Sequence, residues 1–128
     1  MSTAMTRAVG TWRWMAPEVI TSNHYDEKID SFSFGMLMYE VLARKVPYAD
    51  TVPPTNTDPR MGLTIVKGLR PTVSLVQQGC PARTAKLMEA CWAQGSKDRP
   101  DFTMVRQQLE SQLDLVALYG QVKNDIDL

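Results

Sequence analysis

Apolar residues cluster unevenly along the chain, and their spacing predicts helices joined by polar loops. Between Ile29 and Leu42, nine of fourteen residues are apolar: Ile29, Phe32, Phe34, Met36, Leu37, Met38, Tyr39, Val41 and Leu42. They fall on all sides rather than in one stripe, and they predict one helix from about Lys28 to Arg44. A helix that is apolar all round is buried or in a membrane, and this one falls short of the ~20 residues of a span. It is therefore expected to run through the middle of a core, with other helices around it. Met61, Ile65 and Leu69 recur at i, i+4 and i+8, which predicts a short amphipathic helix closed near Gly68 and broken at Arg70-Pro71. Leu87, Met88, Cys91 and Trp92 predict another, ending at Gly95. Phe102, Val105, Leu109, Leu113 and Val116 predict a last helix, with Asp101 as its N-cap.

The segments between are less regular. Met1 to Thr11 is small and polar, with no period, and reads as a loop. A knot of aromatic and apolar residues follows from Trp12 to Ile20. Within it, Pro17 and Glu18 suit the first turn of a short helix that Thr21-Ser22-Asn23 stops. Val46 to Pro59 carries four prolines and reads as a loop of about a dozen residues, a connector that is long for a compact domain. No segment alternates as a strand would, and no repeat appears. The fold class expected is mainly α, packed on one buried central helix.

Length and charge narrow the functions. The chain has 128 residues, about one domain. Lys plus Arg is 14 and Asp plus Glu is 14, so the formal charge is zero. That balance gives no electrostatic reason to seek nucleic acid or an anionic membrane, and neither is expected as a partner. No membrane segment and no signal peptide are read in the sequence. Cys80 and Cys91 form neither a disulfide framework nor a Cys-x-x-Cys pair, and reduced thiols point to a cytoplasmic or nuclear setting. The one histidine, His24, has no nucleophile signature beside it. No metal site is expected.

Specific motifs then emerge. Gly10-Thr11-Trp12-Arg13-Trp14-Met15-Ala16-Pro17-Glu18 resembles the end of the activation segment of a protein kinase, with Ala-Pro-Glu as its signature. Asp30-Ser31-Phe32-Ser33-Phe34-Gly35 resembles the opening of the central helix of the kinase C-terminal lobe. Pro47-Tyr48, Gly68-Leu69-Arg70-Pro71 and Cys91-Trp92 with Arg99-Pro100 and Phe102 resemble later blocks of that lobe, in the right order. Together they cover about residues 10–113. The Trp-Met-Ala-Pro-Glu wording and the Cys-Trp…Arg-Pro block look most like the tyrosine-kinase-like group of serine/threonine kinases. The implied architecture is the helical C-terminal lobe of the protein-kinase-like fold. Its expected layout is one partial kinase domain over 1–128: the end of the activation segment at 1–20, a helical subdomain at 21–118 and a tail at 119–128.

The resemblance implies roles for single residues. Glu18 and Arg99 match the pair that ties the activation segment to the helical subdomain by a buried salt bridge, and Ala16 and Pro17 belong to the same structural set. Asp30 matches an acid that accepts hydrogen bonds from the catalytic-loop backbone, and it is also read as a helix cap. Gly35 stands mid-helix, where glycine costs ~1 kcal/mol relative to alanine, so another backbone is expected to pack there. Gly10, Thr11, Trp12, Arg13 and Trp14 are the expected substrate-binding platform, with Thr11 contacting the catalytic Asp. Ser2, Thr3 and Thr6 occupy the stretch where relatives are phosphorylated.

The 128 residues hold no Gly-x-Gly-x-x-Gly loop, no Val-Ala-Ile-Lys strand, no His-Arg-Asp loop and no Asp-Phe-Gly. No catalytic residue is assigned. The expectation is a fragment of a serine/threonine kinase in intracellular signalling, incompetent alone, with ATP and Mg implied for the intact parent but no cofactor in this chain. Protein substrates or signalling proteins are the expected partners. The alternative is a non-catalytic kinase-like binding module or a degenerate copy. Without the catalytic loop, the faces of Phe32, Met36 and Tyr39 are expected to be partly uncovered, leaving an apolar patch that drives self-association.

Overall fold

The computed structural model describes residues 12–21, 26–53, 55–56 and 58–113. Five α-helices account for half of them: α1 (Pro17–Thr21), α2 (Lys28–Ala43), α3 (Gly62–Val66), α4 (Ala82–Cys91) and α5, the helical run at 102–113. Single 3-10 turns lie at Trp12–Trp14, Pro59–Met61, Val73–Leu75 and Ser96–Asp98. No strand occurs among the described residues, so the chain is mainly helical, as its periodicity predicts.

The core forms around α2. Phe32, Met36 and Tyr39 pack against α4, where Leu87, Met88 and Cys91 are buried with Trp92 just beyond. Gly35 permits this approach. A Cβ there would sit 2.9 Å from the Cys91 Cβ and 3.1 Å from the Met88 carbonyl oxygen, too close for any side chain. α2 ends one residue before the expected Arg44, which takes a left-handed backbone (φ 57°) and stops the helix. α1 crosses α3, with Ile20 against Gly62. At the start of α5, Asp101 accepts a hydrogen bond from the Met104 amide (2.8 Å), the side-chain cap its position predicts.

Four expectations need correction. Phe32, Met36 and Tyr39 are among the most buried side chains, because α4 and the turn after it cover them. The uncovered side of α2 is instead the one carrying Leu37 and Val41, which are 48% and 66% exposed. With Phe34, Met38, Leu42 and Thr84 they line a shallow apolar groove of about 260 Å³. α2 is thus apolar all round but buried on only part of its circumference. The helix expected through Leu69 is a 3-10 turn followed by α3, which ends at Val66; Gly68 turns the chain at φ 106° and Leu69 is exposed. On α5, Val105 is buried and Leu109 packs half-buried against the core, but Leu113 is exposed, so the buried stripe ends before the helix does. Val116 lies outside the described residues. Asp30 is exposed inside the first turn of α2 and is not its cap: Glu27 holds the cap position, and the Lys28 amide donates to Asp26 (2.9 Å).

Candidate functional site

Residues from three distant stretches converge on the first turns of α2. Arg99 extends its guanidinium inward from the turn after Ser96–Asp98 and is buried. It forks onto Glu18 of α1, with Nη1 donating to Oε2 (2.7 Å) and Nη2 to Oε1 (2.9 Å), across 81 residues of sequence. A planar guanidinium matches a carboxylate in this bidentate way, which a lysine cannot do. Its remaining donors reach the carbonyls of Ala93 (2.8 Å), Gln94 (3.2 Å) and Lys28 (3.3 Å), so the buried charge is well satisfied. The Glu18 side chain is 21% exposed against 0% for Arg99. Burial alone would raise the Glu18 carboxyl, but the hydrogen bonds and charge of Arg99 outweigh it, and the net shift is downward from the ordinary carboxylate range.

Polar side chains at the start of α2 fix the neighbouring segments. The Ser33 hydroxyl donates to the Trp14 carbonyl (2.7 Å) and the Ser31 hydroxyl to the Pro100 carbonyl (2.6 Å). Lys28 Nζ donates to the Arg99 carbonyl (2.7 Å). One helix end therefore holds both the segment before α1 and the turn that carries Arg99.

Trp12 and Arg13 face inward. Arg13 donates to the carbonyls of Pro47 (2.7 Å), Val52 (3.2 Å) and Pro53 (2.7 Å), and burial lowers its pKa. Trp12 stacks on Tyr48 with ring centroids 5.4 Å apart. Tyr48 is buried in a left-handed backbone (φ 67°), a strained conformation held by that stack and by its hydroxyl donating to the Leu69 carbonyl (3.3 Å). The proline-rich stretch after α2 is thus a packed wall for the aromatic knot rather than a plain connector. Trp14 is half-buried, with its indole N–H donating to Glu40 (3.3 Å). Side chains at 12 and 13 thus tie the segment to the 47–53 stretch. Ala16 and Pro17 are buried beside them.

Of the other residues singled out from the sequence, Ser2, Thr3, Thr6, Gly10, Thr11 and His24 lie outside the described residues. Asp30 stands apart from the Glu18–Arg99 pair on the exposed side of α2. Arg70 reads in the sequence as a helix breaker within the Gly68–Pro71 block, yet its half-buried guanidinium donates to Trp92, Ile65, Leu69 and Gln94. No periodic signal marks a half-buried arginine between two short elements. Among the described residues, no group of three or more His, Cys, Asp or Glu could hold a metal ion. No helix there is long and apolar enough to cross a membrane. Cys80 and Cys91 are free thiols.

The family model described as protein tyrosine and serine/threonine kinase matches residues 2–109. Serine/threonine-protein kinase STY46 of Arabidopsis thaliana is 39% identical over 119 residues, covering 93% of this chain and 20% of its own length. Mitogen-activated protein kinase kinase kinase 11 of Homo sapiens is 39% identical over 109 residues, covering 85% of this chain and 12% of its own length. The chain therefore spans a fifth or less of these relatives.

Proposed function

The chain belongs to the protein tyrosine and serine/threonine kinase family, and from that premise we propose that it serves as the helical, substrate-side part of a serine/threonine kinase that phosphorylates proteins in intracellular signalling. The observation that supports this best is the match of the family model over residues 2–109, a range that takes in both the Gly10–Glu18 stretch and the Cys91–Phe102 block. The relatives are serine/threonine kinases.

In this reading residues 1–20 are the end of the activation segment, 21–118 the helical subdomain and 119–128 a tail. The substrate platform runs from Gly10 to Trp14, and its described part is tied down by the bonds of Arg13 to three carbonyls and by the Trp12–Tyr48 stack. Rigidity matters because phosphoryl transfer depends on positioning and on neutralising charge. Thr11 contacts the catalytic base, and Ser2, Thr3 and Thr6 are sites of activating phosphorylation. Asp30, exposed on α2, receives the catalytic-loop backbone. Kinases of this family draw the transferred phosphoryl group from ATP with Mg. The residues described here do not fit that pair: they offer no metal-ligand cluster, and the sequence has no glycine-rich phosphate loop. Nucleotide, metal ligands and base belong to a preceding part of the kinase. Free thiols and kinase relatives favour a cytoplasmic setting.

The test compares the native protein, captured from its source, with the isolated 128-residue chain. Each receives MgATP with serine-, threonine- and tyrosine-containing peptides. The native protein is expected to label serine or threonine and the isolated chain nothing. Transfer by the isolated chain, or tyrosine labelling alone by the native protein, would sink the reading.

A further inference from the structure

We propose that Arg70 is a positioning residue for the Glu18–Arg99 ion pair, acting through the turn at 92–94 that the two arginines share. This inference stands on geometry alone and does not depend on the kinase reading. Three consecutive residues are divided between the two guanidiniums. Arg70 Nε donates to the Trp92 carbonyl (2.9 Å), and Arg99 Nε donates to the Ala93 carbonyl (2.8 Å). Gln94 is held by both: Arg70 Nη2 donates to its side-chain oxygen (2.6 Å) and Arg99 Nη2 to its main-chain oxygen (3.2 Å).

Arg70 is anchored on its own side. Its Nη1 donates to the carbonyls of Leu69 (2.7 Å) and Ile65 (3.2 Å), and the Gln94 amide nitrogen donates back to the Val66 carbonyl (2.8 Å). The end of α3 is thereby tied to the 92–94 turn. Phe32 completes the arrangement, with the Arg70 guanidinium carbon 4.8 Å and the Arg99 carbon 5.0 Å from its ring centroid. A fully buried aromatic ring attracts both cations and fixes their planes. Two like charges over one ring are tolerable because each carries several carbonyl partners and one carries a carboxylate.

Without Arg70, the Trp92 carbonyl and the Gln94 side chain lose their donors, and the turn that aims Arg99 is free to shift. Misaiming a bidentate fork weakens it without removing either charge. Arg70→Lys separates this from a charge effect, since lysine keeps the cation but cannot fork to Trp92 and Gln94 together.

The experiment is a double-mutant cycle on the full 128-residue chain at neutral pH, read as urea unfolding midpoints at one fixed low protein concentration. Glu18→Gln is made in the wild-type, Arg70→Met and Arg70→Lys backgrounds. In both Arg70 backgrounds the midpoint shift caused by Glu18→Gln should fall to less than half its wild-type size. A shift in Arg70→Lys equal to that in wild type would overturn the proposal, even with a reduced shift in Arg70→Met, because charge alone would then explain the coupling. If the Arg70 variants do not fold, Gln94→Ala decides by the same comparison: a reduced Glu18→Gln shift supports the proposal and an unchanged one overturns it.

Discussion

Arg99 and Glu18 are unequal partners, and the inequality sets what each mutation should cost. Glu18→Gln removes the ion pair but leaves Arg99 its three carbonyls. Losing charge-assisted bonds at a partly exposed carboxylate should cost about 1–3 kcal/mol. Arg99→Met also strips the carbonyls of Ala93, Gln94 and Lys28 of a donor and leaves Glu18 without its partner, so roughly 3–5 kcal/mol is expected. Urea unfolding at pH 7 should therefore rank Arg99→Met well below Glu18→Gln; the reverse order would contradict this account of the pair. The same pair predicts an acid limb. The folded-state pKa of Glu18 lies below its unfolded value, so its contribution is full above the ordinary glutamate range, near pH 4.3, and is lost as pH falls through the folded pKa. Glu18→Gln should shrink the loss of stability below about pH 4. The pair was legible only through motif resemblance, because nothing in periodicity links positions 81 residues apart. The side-chain role of Arg70 was not legible, since the Gly68–Pro71 block marks a helix exit and an Arg-Pro there reads as a stop whatever its side chain does.

Among the elements, α2 shows how far hydropathy reaches and where it stops. Its existence and length follow from an apolar run bounded by charged residues, and Lys28–Ala43 differs from the expected span by one residue. Which side stays bare could not be read, because an all-round apolar helix has no preferred face and neighbours alone decide. Gly35 is the place where a neighbour leaves a mark in the sequence. Gly35→Ala would regain ~1 kcal/mol of helix propensity. Its methyl would collide with the Cys91 Cβ and the Met88 carbonyl, and such overpacking typically costs 1–3 kcal/mol or more, so the net effect should be destabilising. A lower thermal midpoint for Gly35→Ala is expected; an unchanged or higher one would mean that α2 and α4 are not in backbone contact. The same contact shields Cys91, whose thiol is buried and pushed up to about 11 by that burial. Native chain should react with a thiol reagent at Cys80 only, and Cys91 should react once urea is added. Fast labelling of both in the native chain would contradict the packing of α4.

At the scale of the whole molecule, the exposed side of α2 stands out. Leu37 and Val41 sit in an apolar groove that no described segment covers. Apolar surface of this kind favours self-association in a chain with no net charge to oppose it. The isolated chain should be larger than a monomer by light scattering, and Leu37→Glu with Val41→Lys should return it to monomer. A wild-type monomer at tens of micromolar would contradict this. An apolar patch was expected from the sequence, but on the Phe32, Met36 and Tyr39 side, since the helices that cover those residues come from the distant 82–99 stretch. The order of elements, the turn residues and the motif blocks were all readable. Long-range closure through Arg13, Arg70 and Tyr48 was not, because buried polar contacts leave no pattern in one sequence.

The central claim is that these 128 residues work as part of a larger serine/threonine kinase. The size of the native polypeptide tests it most directly, by immunoblot with an antibody raised against Gln121–Leu128. The account predicts a band well above 14.4 kDa, and a single band at 14.4 kDa would contradict it.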